Sequence, residues 1–167
     1  MRTRGRLLRF ESKIKTLGSL VKIIRGLKKK GRRIVFTNGC FDILHFGHVK
    51  YLQDSKAKGD ILVVGLNSDS SVKRLKGAKR PIVSQKHRAA VLAALEPVDY
   101  VVIFSEDTPE LLIRALLPDV LVKGGDWKIQ DIIGSEVVMR NGGKVFSIKF
   151  VDGFSTTALI KKIAHGL

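Results

Sequence analysis

Short apolar runs alternate with helix-patterned segments five times along this chain, and that alternation restricts the fold more than any other feature. Ile34-Val-Phe36, Ile61-Leu-Val-Val-Gly-Leu66, Tyr100-Val-Val-Ile-Phe104, Val120-Leu-Val122 and Val145 to Phe150 read as strands. Ile14, Leu17, Leu20, Val21, Ile23, Ile24 and Leu27 have helical spacing, and Gly31 closes that helix. Phe46 to Lys58 repeats the pattern and stops at Gly59; Lys86 to Leu95 stops before Pro97. Thr108 and Pro109 read as cap and first position of a further helix. Ile132 to Met139 reads as helix halted by Asn141-Gly-Gly143, and Ser155 or Thr156 caps a last helix through Ile163. The second strand, Ile61 to Leu66, is apolar throughout rather than alternating, which suits a parallel sheet covered on both faces. The expectation is an α/β, doubly wound, five-stranded parallel sheet with right-handed crossovers. Residues 1–33 are expected to form a basic segment and amphipathic helix on or beside a domain of residues 34–167.

In such a sheet ligands bind beyond the carboxyl ends of the strands, where strand order reverses. The segment after the first strand therefore matters: Thr37-Asn-Gly-Cys-Phe-Asp-Ile-Leu-His-Phe-Gly-His48. Gly39 allows a tight turn. His45 and His48 are three residues apart at a helix start, so both imidazoles share one face near the positive end of the helix dipole. Gly47 leaves room for a phosphate, and the helix N-terminus completes an anion site. Metal ligation is the weaker reading, because helical histidine ligands are more often four apart and no third ligand is near.

Charge admits a second class of function. Lys+Arg number 31 against 15 Asp+Glu, a net charge of +16, which would attract polyanions such as nucleic acid. The basic residues are spread along the chain without the interleaved aromatics of a single-strand binder, so a solvated basic surface is the preferred reading. No apolar run approaches the roughly 18 residues that span a bilayer. No signal-like stretch follows the basic start, which points to the cytoplasm. Cys40 is the single cysteine, which excludes an intrachain disulfide and a cysteine-rich metal site.

His45-Phe-Gly-His48 resembles the HxGH motif of the nucleotidylyltransferase superfamily, and Gly39-Cys-Phe-Asp42 the strand end that precedes it in the cytidylyltransferase-like branch. Asn67-Ser-Asp69, Lys79-Arg-Pro-Ile82, Arg88, Val122-Lys-Gly-Gly-Asp-Trp127 and Asp152-Gly-Phe-Ser-Thr-Thr157 continue the likeness in order. The phrases Phe36 to His45, Arg74-Leu-Lys-Gly77 and Leu116 to Asp126 are similar to the heptose-1-phosphate adenylyltransferases. One departure is Phe154, where that family more often has Cys. The resemblance implies a Rossmann-like fold, ATP as substrate with Mg²⁺, and a stand-alone adenylyltransferase making ADP-heptose for lipopolysaccharide. It also implies a homo-oligomer without nucleic-acid or membrane partners. The alternatives are a cytidylyltransferase acting on glycerol 3-phosphate or a related polyol phosphate, and a non-enzymatic nucleic-acid binder.

The roles implied follow the motifs. His45, His48 and Arg88 are the catalytic candidates. Asn38, Gly39, Cys40, Phe41, Gly47, Lys50, Lys79, Ser155, Thr156 and Thr157 would bind nucleotide or phosphate, with Arg80 beside Lys79 as a further neutraliser. Asp42, Asn67, Asp69, Lys123, Gly124, Gly125, Asp126 and Trp127 would face the acceptor, the last two alternatively the ribose. Asp42 is also a candidate magnesium ligand, or else the residue that fixes its loop through backbone amides. No nucleophile is required, so Cys40 has no covalent role.

Overall fold

In the computed structural model, residues 10–151 and 153–164 are described. Five parallel strands form one sheet: β1 (Ile34–Gly39), β2 (Ile61–Asn67), β3 (Tyr100–Phe104), β4 (Val120–Gly124) and β5 (Lys144–Ile148). Their order is β3-β2-β1-β4-β5, so the strand order reverses between β1 and β4. Around the sheet lie α1 (Leu17–Lys29), α2 (Phe46–Lys56), α3 (Asp69–Lys76), α4 (Gln85–Ala94), α5 (Glu110–Leu116), α6 (Ser135–Arg140) and α7 (Thr156–Ala164).

Both faces are covered, which explains the unbroken apolar run of β2. On one face Leu52 of α2 and Ala89, Leu92 and Ala93 of α4 pack on Val35, Leu62, Val64 and Val101. On the other, Leu20 and Ile24 of α1, Leu112 and Ile113 of α5 and Val138 of α6 pack on Ile34, Phe36, Val63 and Leu121. Successive strand residues thus feed opposite cores.

Helix α1 contributes Leu20 and Ile24 to the same core as the strands. Leu20 is fully buried in it. Leu20→Ala is expected to destabilise the protein by about 2–5 kcal/mol, measured by denaturant unfolding. A loss under about 1 kcal/mol would show that α1 contributes little to folding.

Several boundaries differ from the sequence expectation, each for a local reason. Helix α1 starts at Leu17 because Ile14 bridges to Val101 beside β3, and Thr16 caps the helix by accepting the Ser19 amide. Pro109, expected at the first helical position, occupies the cap position of α5. The predicted helix over 132–139 is divided: a 3₁₀ turn covers Ile129–Asp131, and Gly134 at φ 84° delays α6 to Ser135. A Cβ at Gly134 would stand 2.6 Å from Ile113 Cδ1, so glycine is required there by space as well as conformation. Helix α3 was not expected. It is capped by Ser68 and closed by Gly77, but buries only Ser71 and Val72, too little to leave an apolar periodicity.

Candidate active site

The loops after β1 and β4 face each other across the switch point, and the first residues of α2 and α7 join them. His45 is the extended cap residue of α2, and His48 lies in its first turn. Their rings stack at 3.9 Å between centroids with an interplanar angle of 24°. Nδ1 of each ring is buried without a hydrogen-bond partner. Orphaned polar atoms of this kind are rare in folded proteins and call for a ligand or a function. Burial, reinforced by the neighbouring His45, pushes the His48 pKa down to about 4; burial also lowers that of His45. Both shifts favour the neutral imidazole, which has one N–H to donate.

The surroundings fix this pair. Phe41, at φ 44°, turns its ring in beneath the motif and lies 5.3 Å from the His48 ring. Gly39 is needed beside it, because a Cβ would come within 2.9 Å of Phe41 Cε2. A Cβ on Gly47 would press on the His45 ring (3.1 Å to Nδ1) and on Phe154 (3.2 Å). Phe154 stacks on the outer side of His45 and also meets Phe46. The Phe154 departure noted in sequence therefore touches the motif itself.

The hydroxyls before and inside α7 lie close to the same loop. Ser155 caps the helix by accepting the Ala158 amide at 3.0 Å, Thr156 Oγ1 donates to the Ile43 carbonyl at 3.3 Å, and Thr157 is exposed. Two helix N-termini thus approach one another at the β1 loop, each favouring an anion.

On the other side of the switch, Lys123, Gly124, Gly125 and Trp127 form a stiff turn. Gly125 stands at φ 120°, and Trp127 Nε1 donates to the Gly124 carbonyl at 3.1 Å. Ser147 of β5 donates to the Gly125 carbonyl and accepts the Trp127 amide. Asn38, Leu121, Lys123, Trp127, Asp131 and Ile132 line a cleft of about 170 Å³ there. Burial lowers the Lys123 pKa and raises that of the Cys40 thiol, and the Lys76 charge acts on both. Asp126 is exposed.

Several candidates point elsewhere. Asp42 is not open to an acceptor or a metal. Its Oδ1 accepts the Ile82 and Val83 amides and its Oδ2 the Arg80 guanidinium and again the Ile82 amide, at 2.6–2.9 Å. Burial alone would raise its pKa, but the Val83 and Ile82 amides and Arg80 outweigh burial and hold it low. Asp42 thus ties its loop to Ile82, Val83 and Arg80, an arrangement that favours the loop-fixing reading of that residue.

Arg88, expected on a phosphate, has a side chain with no exposure; it donates to the carbonyls of Val83 and Cys40 and to Asp69 Oδ1. Asp69 in turn accepts the Gln85 amide, while Gln85 Oε1 accepts the Asp69 amide. Asn67 is buried and donates to Ser71. Lys50 pairs with Asp54 along its own helix. Lys79 is exposed on the loop that Asp42 and Arg88 tie down. Among the described residues no three His, Cys, Asp or Glu side chains are grouped as a metal site, and no helix is long and apolar enough to cross a membrane.

Comparison with known proteins agrees with this geometry. The cytidylyltransferase-like family matches residues 36–162. The bifunctional protein HldE of Geotalea uraniireducens is 58% identical over 156 residues, covering 93% of this chain and 32% of that protein. HldE of Geobacter sulfurreducens is 57% identical over 153 residues, covering 92% and 31%. The chain thus spans about a third of the length of these curated relatives. A lipopolysaccharide core biosynthesis protein from Thermoplasma volcanium is 30% identical with a TM-score of 0.59, over 72% of this chain and 98% of that one. A pantoate-beta-alanine ligase from Francisella tularensis shares the fold alone, at 13% identity and a TM-score of 0.58 over 88% and 75% of the two chains. With the stacked histidines, the glycine between them and the switch-point loops in one place, the chain belongs to the cytidylyltransferase-like nucleotidyltransferases.

Proposed function

We propose that this protein transfers AMP from ATP to heptose 1-phosphate, releasing pyrophosphate and giving ADP-heptose for lipopolysaccharide core synthesis. The observation that carries the chemistry is the stacked His45–His48 pair with unpartnered nitrogens at the start of α2. The acceptor assignment is supported by the heptose-1-phosphate adenylyltransferase phrases and by the likeness to the Thermoplasma protein.

A phosphate oxygen of the sugar attacks the α-phosphorus of ATP, and the bond from that phosphorus to the bridging oxygen of the β-phosphate breaks. No proton transfer to a protein nucleophile is needed. The chain's part is to align the two phosphates and to stabilise charge as it develops. His45 and His48 would donate to phosphate oxygens, and the α7 terminus with Ser155 to Thr157 would receive the departing pyrophosphate. Lys123, and Lys79 on its tied loop, would neutralise the remaining charge. Mg²⁺ prefers oxygen ligands and keeps its waters; it would be held by the phosphates, since both oxygens of Asp42 are engaged.

The test is incubation with ATP, Mg²⁺ and heptose 1-phosphate, following pyrophosphate and the sugar nucleotide, beside a panel with CTP and glycerol 3-phosphate. ADP-heptose is expected. Turnover of CTP with none of ATP would overturn the adenylyl assignment and favour the cytidylyl alternative.

A further inference from the structure

Parallel pairing between β1 and β4 covers only Val35 with Val120 and Phe36 with Leu121, whereas β1 stays paired to β2 through Gly39. The two strands therefore separate just before the loops that form the site. One side chain reaches both strands there. Tyr51, in α2 and one turn after His48, is 7% exposed, and its hydroxyl lies 2.5 Å from Thr37 Oγ1 on β1. The same hydroxyl donates to the Val122 carbonyl on β4 at 3.3 Å. A Cβ on Gly124 would stand 3.3 Å from the Tyr51 ring, so β4 also rests on its edge. Ser55 Oγ donates to the Tyr51 carbonyl one turn further on.

We propose that Tyr51 is a positioning residue that sets the width of the switch-point crevice, joining β1, β4 and the histidine-bearing helix at one hydroxyl. This rests on the nucleotidyl-transfer reading of the site. A hydroxyl that only filled core space would need one partner; this one reaches both strands at the point where their own ladder ends. Val122 is the residue immediately before Lys123, and Thr37 immediately precedes Asn38. Tyr51 thereby couples the half of the site that holds the imidazoles to the half that holds the glycine turn. Misalignment of two bound phosphates by a fraction of an ångström acts on the reaction step more than on either binding step.

Tyr51→Phe keeps the ring and removes the link. Turnover is expected to fall about tenfold, with KM for ATP and for the sugar phosphate each within about twofold of wild type. Thr37→Val should give a similar loss, and the double variant should be no slower than the worse single one, because both remove the same link. Wild-type turnover in Tyr51→Phe, or losses that multiply in the double variant, would overturn the inference. Hydrogen exchange keeps it testable if the wild-type protein does not turn over heptose 1-phosphate, a failure of the substrate reading instead. Amides of residues 37–40 and 122–125 should exchange faster in Tyr51→Phe while those of 61–66 are unchanged. Equal exchange in both proteins would overturn the positioning role without reference to any substrate.

Discussion

His48→Ala is expected to lower kcat on the order of 10²- to 10³-fold with the fold intact, the usual cost of removing one preorganised donor from a developing oxyanion. The ring stacks on His45 and rests against Phe41, so its loss also frees its partner to move. Steady-state kinetics with circular dichroism as the folding control checks this; unchanged kcat would remove the imidazole pair from the mechanism. A pH series gives a second reading on the same variant. The ordinary histidine pKa is 6.5 and that of folded His48 about 4. As pH falls below 6.5 the unfolded chain takes up a proton that the folded chain refuses, so stability present above 6.5 is lost towards pH 4. In His48→Ala that part of the slope in Tm against pH should disappear. A binding triphosphate brings negative charge to the ring and should raise its pKa, which opposes the acid loss.

The histidine motif was legible in sequence because its spacing and its place after an apolar run carry the geometry with them. The sheet was legible for a similar reason: an interior strand such as β2, buried on both faces, reads as an unbroken apolar run, and Gly or Pro lies near an end of each strand. What could not be read was the direction of a charged side chain. Asp42 lies inside the motif, yet its partners are 38 to 41 residues away at Arg80, Ile82 and Val83. Lys50 is one turn from its carboxylate, and local pairing took it away from the site. Tyr51 belongs to no motif that the sequence offered. Only the separation of β1 from β4, together with a carbonyl partner 71 residues away at Val122, shows what its hydroxyl does. Helix α3 was missed because it is short and only Ser71 and Val72 of its eight residues are buried.

Arg88→Ala is expected to be the most destabilising change at the site, by about 3–5 kcal/mol, as for other buried pairs broken by removing one partner. Two carbonyls, of Val83 and Cys40, lose a charged donor, and Asp69 loses its guanidinium. Asp69 is 35% exposed and can recover some hydration, which favours the lower end of that range. Arg88→Lys separates a structural tie from a phosphate contact. Lysine keeps the charge but cannot reproduce three bonds in one plane. A phosphate-binding Arg88 would therefore tolerate lysine with a modest rise in the KM for ATP and little loss of stability. The observed bonding predicts the reverse: a lowered unfolding midpoint, KM for ATP within about twofold, and reduced kcat, because Arg88 joins the β1 loop to the loop that carries Lys79. Chemical unfolding and steady-state kinetics on that one variant decide between them. A stable Arg88→Lys protein with only weakened ATP use would return the guanidinium to the phosphates.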